Sequence, residues 1–147
     1  MNATVFSKRA WLSLSAALVL GTCAVGTFST AAVAADVKVT LAGDQEVPPV
    51  KTAGSGGGSF AIGDDKSVAG SVSTTGISGT AAHIHEAAVG KNGPVIIPLT
   101  KDGDKYTAPA GAKLTDAQFA AFKAGNLYVN VHTAANAGGE MRAQLKP

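Results

Sequence analysis

The 147-residue chain contains three histidines, and any chemistry it performs is most economically sought there. His83 and His85 stand one residue apart in "GTAAHIHEAAVGKNGPV", and His132 lies in "YVNVHTAANAGGEMRAQL" near the C-terminus. In an extended strand alternate side chains share a face. Ile84 then takes the core side, and His83 and His85 share the other, about 6.5–7 Å apart at Cα. Two imidazoles at that spacing can converge on one ion with metal–nitrogen distances of about 2.0–2.1 Å. The same alternation turns Leu127, Val129 and Val131 inward and Tyr128, Asn130 and His132 outward. Met141, Ala143 and Leu145 suit the core, which leaves Glu140, Arg142 and Gln144 outside.

All three histidines thus fall on polar strand faces, together with Glu140 and Arg142. "TAANAGG" is short enough to make His132 and Glu140 neighbours across a hairpin. If the "HIH" strand lies beside that hairpin, His83, His85 and His132 form one candidate metal centre, supported by Glu140 and Arg142. Imidazoles without a thiolate suit copper or zinc as divalent ions. Arg142 opposes a cation there unless Glu140 neutralises it, and a His–Glu–Arg hydrogen-bond network without an ion accounts for the same residues.

Other chemistry is thinly provided for. No serine sits in a nucleophile-elbow setting, and the acidic residues are mostly single and in turns. "GDD" and "KDGD" lie among glycine and lysine, the makeup of solvated turns. The longer ligand series of a calcium loop, ending in glutamate, is lacking. A dismutase-like activity needs a redox copper and usually a second histidine-rich site, which three histidines do not supply. No catalytic residues are assigned, and an enzyme is the minority reading.

The elements that must hold these side chains read as short strands. "VKVTLA" (37–42) alternates apolar and polar residues. "GDQEVPPVKTAGSGG" follows, with prolines and glycines that argue against regular pairing. Phe60 and Ile62 lead into the turn "GDDKS", and Val68 begins a return strand. "AAHIH" and "VIIPL" are further strands, the latter with its proline at an edge or bulge. "LTDAQFAAFKAGN" predicts one helix near 115–124: Thr115 and Gln118 form a capping box, Asp116 and Lys123 suit its two ends, and Gly125 suits the stop. Leu114, Phe119 and Phe122 supply its apolar contact. Many short strands and one helix predict a mainly β Greek-key or immunoglobulin-like β-sandwich.

Residues 1–35 are set apart as an expected signal peptide. Lys8 and Arg9 precede the uncharged apolar run Trp11–Leu20, and small residues close the segment at "STAAVAAD", with cleavage after Ala34 or Ala35. Gly21, Thr22, Gly26, Thr27, Ser29 and Thr30 interrupt the run, against a membrane anchor. "LGTC" is a partial lipobox at Cys23, with Thr22 bulkier than the pattern prefers. Removal takes away the only cysteine and the only tryptophan. It also takes Lys8 and Arg9 from 12 basic residues, leaving ten against ten acidic ones. The expected product, residues 36–147, is a nearly neutral single domain, secreted or periplasmic. It has no disulfide, no membrane span and no basic cluster for nucleic acid.

The segments "LAGDQEVPPV", "AAHIHEAAVGKNGPVIIPL" and "LYVNVHTAANAGGEMRAQL" together resemble the CHRD (chordin-type) domain family of exported bacterial proteins, in the family's order and over nearly all of residues 36–147. Two positions depart from it: Glu86, where a glycine often follows the second histidine, and the residue after Arg142. The resemblance implies a β-sandwich similar in outline to copper/zinc superoxide dismutase and immunoglobulin folds, and no generally established activity. The expectations are an exported module binding a transition metal or an extracellular ligand, a structural or adhesive domain with an architectural cluster, or a small copper/zinc metalloenzyme.

Overall fold

A computed structural model describes residue 1 and residues 34–147. The expected leader, with Trp11 and Cys23, lies outside the described residues apart from Met1, Ala34 and Ala35. Two antiparallel sheets face each other across one apolar core, giving the expected β-sandwich. The first holds β1 (Ala34–Leu41), β2 (Ser55–Gly63), β3 (Val68–Thr75), β7 (Lys105–Thr107) and β6 (Thr100–Asp102), in the spatial order β1-β2-β3-β7-β6. The second holds β5 (Val95–Pro98), β4 (Gly79–Glu86), β8 (Leu127–Thr133) and β9 (Met141–Leu145), in the order β5-β4-β8-β9. The chain crosses between sheets after β3, after β5 and after β7, so β4 comes to lie beside β8 although 40 residues intervene.

Alternation places the core as the sequence implied. Val37, Val39 and Leu41 from β1, Phe60 and Ile62 from β2, Ile84 from β4, and Leu127, Val129, Val131, Met141, Ala143 and Leu145 from β8 and β9 are all buried in one cluster. The β2–β3 hairpin turns at Gly63–Ser67 with Lys66 at positive φ, and Asp65 accepts from the backbone N–H and the hydroxyl of Ser67. Pro98 ends β5, an edge strand that tolerates a residue without an N–H. The helix α1 (Asp116–Lys123) has the expected reciprocal cap between Thr115 and Gln118, and Gly125 follows at φ 73°. Phe122 is fully buried, while Phe119 only edges the core.

Two features differ from expectation. The glycine run is not a loop: Gly56, Gly57 and Gly58 belong to β2 and pair on both sides, with β1 and β3. A Cβ on Gly58 would lie 2.0 Å from the Ser71 carbonyl oxygen, so the close approach of the strands requires a residue without one. The boundary at residue 35 also falls inside an element, because Ala34 and Ala35 pair with Gly63 and Ile62 at the start of β1. At the other end of β1, Ala42 and Arg142 exchange two backbone hydrogen bonds of 3.0 Å, so the first and last strands are stitched together across one side of the sandwich.

Candidate metal centre

Strand register brings the histidines together. His83 faces Asn130, His85 faces Tyr128, and His132 faces Ala81, whose methyl group leaves room for the rings. One nitrogen from each of His83, His85 and His132 lies within 4.8 Å of the others. His83 Nδ1 and His132 Nε2 are 3.0 Å apart. Around a tetrahedral ion with bonds of about 2.0–2.1 Å, ligand nitrogens are about 3.3 Å apart, so the closest pair would open slightly and the widest would draw in by about 1.5 Å.

Backbone carbonyls orient two of the rings. His85 Nδ1 donates to the Gly93 carbonyl at 2.9 Å, and His132 Nδ1 donates to the Ala137 carbonyl at 2.9 Å. Each bond fixes the tautomer and leaves Nε2 as the lone pair, the arrangement that suits metal-ligating imidazoles. His85 Nε2 is buried and has no hydrogen-bond partner. Burial lowers the proton affinity of His83, helped by His132 and His85. Burial also lowers that of His85, against the pull of the Gly93 carbonyl. Both rings are therefore held in the neutral, metal-competent form. The donor set fits a borderline ion such as Cu(II) or Zn(II).

Around this triad the outer face of the sheet is not solvated. Tyr128, Asn130 and Arg142 are each no more than 3% exposed. The segment following β1 and the one following β4 cross over them, tied down by Arg142. Its Nε donates to Glu46 Oε2 at 3.0 Å, with Nη2 in ion-pair contact with the same oxygen at 2.9 Å; Nη1 donates to the Lys91 carbonyl at 2.9 Å, and Nη2 to Asn92 Oδ1 at 2.5 Å. Asn92 Nδ2 then donates to the Val47 carbonyl at 2.8 Å, joining the two segments directly.

The partner expected for Arg142 was Glu140, and this is corrected: the carboxylate on Arg142 is Glu46. Glu140 accepts from the Thr133 hydroxyl at 2.9 Å and from Asn136 Nδ2. β9 begins only at Met141, so the strand alternation that would have aimed Glu140 at the cluster does not reach it. Its support for the triad runs through the backbone: it braces the turn whose Ala137 carbonyl holds His132. Thr52 first, then Asn136 and Thr133, keep the pKa of this carboxylate below the usual range by hydrogen bonding, against the effect of burial.

Arg142 also packs against the aromatic ring on which His85 stacks. Its guanidinium lies 3.9 Å from the centre of the Tyr128 ring. His85 stacks on the same ring at 4.7 Å, inclined by only 8°. The cation is paired with Glu46 and packed on Tyr128, and its charge still helps to keep His85 unprotonated. Burial raises the Glu46 pKa while Arg142 draws it down. Glu46 was missed in the sequence because it sits before two prolines in what read as a loop. Tyr128 and Asn130 were visible as face-mates of His132, but nothing local marked them as lining the site.

The CHRD domain pattern matches residues 37–145, a span that includes every residue named in this centre. No curated protein and no solved structure matches the chain.

Proposed function

Since the chain belongs to the CHRD domain family, we propose that it is an exported, non-enzymatic binding module that takes a divalent transition metal, Cu(II) or Zn(II), on His83, His85 and His132. The observation carrying this reading is the buried, unpartnered Nε2 of His85, aimed into a cluster with one nitrogen of each of the other two histidines. An unsatisfied buried acceptor costs about 1–3 kcal/mol. An ion removes that penalty, and the two carbonyl-bound Nδ1 groups prearrange the rings for it. Pairing of Arg142 with Glu46 lessens the main electrostatic objection. Export rests on the three-part leader in residues 1–35.

The direct His83–His132 contact favours a second reading, in which the triad only joins β4 to β8. Thermal unfolding of wild type and His85→Ala, each with Cu(II), Zn(II) or a chelator, separates the two. At 100 times its dissociation constant a bound ion adds about 2.7 kcal/mol, an increase of several degrees in wild type that His85→Ala should lose. A wild-type midpoint indifferent to both metals would leave the cluster as architecture.

A further inference from the structure

We propose that Asn130 is a fourth binding residue of this centre. Its amide oxygen holds a solvent molecule that completes the shell of a divalent ion on the three imidazoles, so the site favours ions that retain a water. The inference rests on the metal reading and adds a donor and an ion preference to it.

Among the described residues, five buried side-chain atoms lack a hydrogen-bond partner: Glu46 Oε1, Thr74 Oγ1, His85 Nε2, Tyr106 Oη and Asn130 Oδ1. Thr74 and Tyr106 belong to the other sheet. The remaining three belong to the metal centre and the residues packed on it. Asn130 lies opposite His83 on β4 and between Tyr128 and His132 on the same face of β8, so the register puts it amid the three imidazoles. It is 1% exposed. Its Nδ2 donates to the Gly138 carbonyl at 3.4 Å, which fixes the amide's orientation and leaves Oδ1 as the free end. The side chain lies within hydrogen-bonding reach of the His85 ring.

The backbone gives way to this packing. Gly139, at φ 140°, is placed so that a Cβ would lie 2.4 Å from Glu46 Oε1 and 2.7 Å from Asn130 Nδ2. Any larger residue would push both groups off the centre.

The chemistry follows from what each atom lacks. With His85 Nδ1 committed to the Gly93 carbonyl, Nε2 offers only a lone pair, and Asn130 Oδ1 beside it also offers only a lone pair. Two neighbouring buried acceptors without a donor are unfavourable. An ion satisfies Nε2. An amide oxygen is the donor type of hard ions, whereas imidazole suits copper and zinc. Asn130 Oδ1 is therefore suited to the outer shell, accepting from a water polarised by the ion. Cu(I), content with two or three imidazoles, keeps no such water and gains nothing from Asn130.

The test uses purified protein with Co(II), Zn(II) and Cu(I) as probes. Asn130→Leu should weaken Co(II) and Zn(II) binding about 10–100-fold and leave Cu(I) within about twofold, while Asn130→Asp, which keeps an acceptor, retains Co(II) affinity. Co(II) and Zn(II) affinities unchanged in Asn130→Leu would overturn the role of Asn130 and leave the triad standing. Wild type that binds none of the three probes would instead remove the metal reading itself. Should Asn130→Leu fail to fold, electron–nuclear double resonance on Cu(II)-loaded wild type decides. The assignment requires a metal-bound water, seen as a strongly coupled proton that exchanges in D2O, and the absence of that proton overturns it.

Discussion

The two nitrogens of His85 have opposite tasks, and both depend on a glycine. Gly93 holds Nδ1 through its carbonyl and donates its N–H to the Tyr128 hydroxyl at 3.3 Å, fixing both stacked rings with one residue. A Cβ at this position would lie 1.9 Å from the Glu86 carbonyl oxygen. Gly93→Ala should therefore shift the loop and weaken metal binding about 10–100-fold, as loss of an orienting partner does, a change calorimetry resolves. Protonation supplies a second prediction. His83 and His85 have folded-state pKa values depressed below the ordinary 6.5. The unfolded chain thus binds more protons than the folded one between those depressed values and 6.5, so metal-free stability should be full above pH 6.5 and decline as the pH falls through that window. Urea midpoints that did not move across it would show that the rings stay solvated. Glu46 and Arg142 are a buried pair, and removing one partner strands the other. Glu46→Ala should cost about 3–5 kcal/mol in denaturant unfolding.

Between single residues and the fold, the elements divide into those visible in the sequence and those that depend on distant partners. The strands of the second sheet were legible because Ile84, Val129, Val131, Met141 and Ala143 alternate with polar residues, and that alternation alone put the three histidines on one side. α1 was legible to its cap because Thr115, Gln118 and Gly125 act locally. The covering of the sheet's outer face was not legible. Glu46 meets Arg142 across 96 residues, and nothing near either one names the other. Gly56–Gly58 misled for a related reason: glycine signals a loop in isolation, but here it is demanded by carbonyls of neighbouring strands. The docking of α1 can be tested separately from the site. Phe122→Ala, at 1% exposure, should cost about 3–5 kcal/mol, and a loss below about 1 kcal/mol would mean the helix is not anchored through that ring.

For the whole chain, processing is the most direct prediction: mass spectrometry of the exported protein should find a first residue near Asp36, and the product should show no tryptophan emission and no response to reductant. Cleavage after Ala35 would shorten β1 by its first two residues, leaving Asp36–Leu41 to pair with β2. The stitch between Ala42 and Arg142 has a consequence for when the protein can exist at all. It joins residues 100 positions apart, and the same arginine completes the covering of the site. A nascent chain that emerges N-terminus first can form the β2–β3 hairpin early, but it cannot close the sandwich until Arg142 is free. Such non-local closure makes for slow folding. In a polypeptide threaded across a membrane, this delay is an asset: the segment still inside remains an unstructured thread, fit to pass a narrow channel. If the chain is exported and binds an ion as proposed, the pocket would be assembled only on the far side, and its occupant would be drawn from the metals of that compartment rather than from the cytosol.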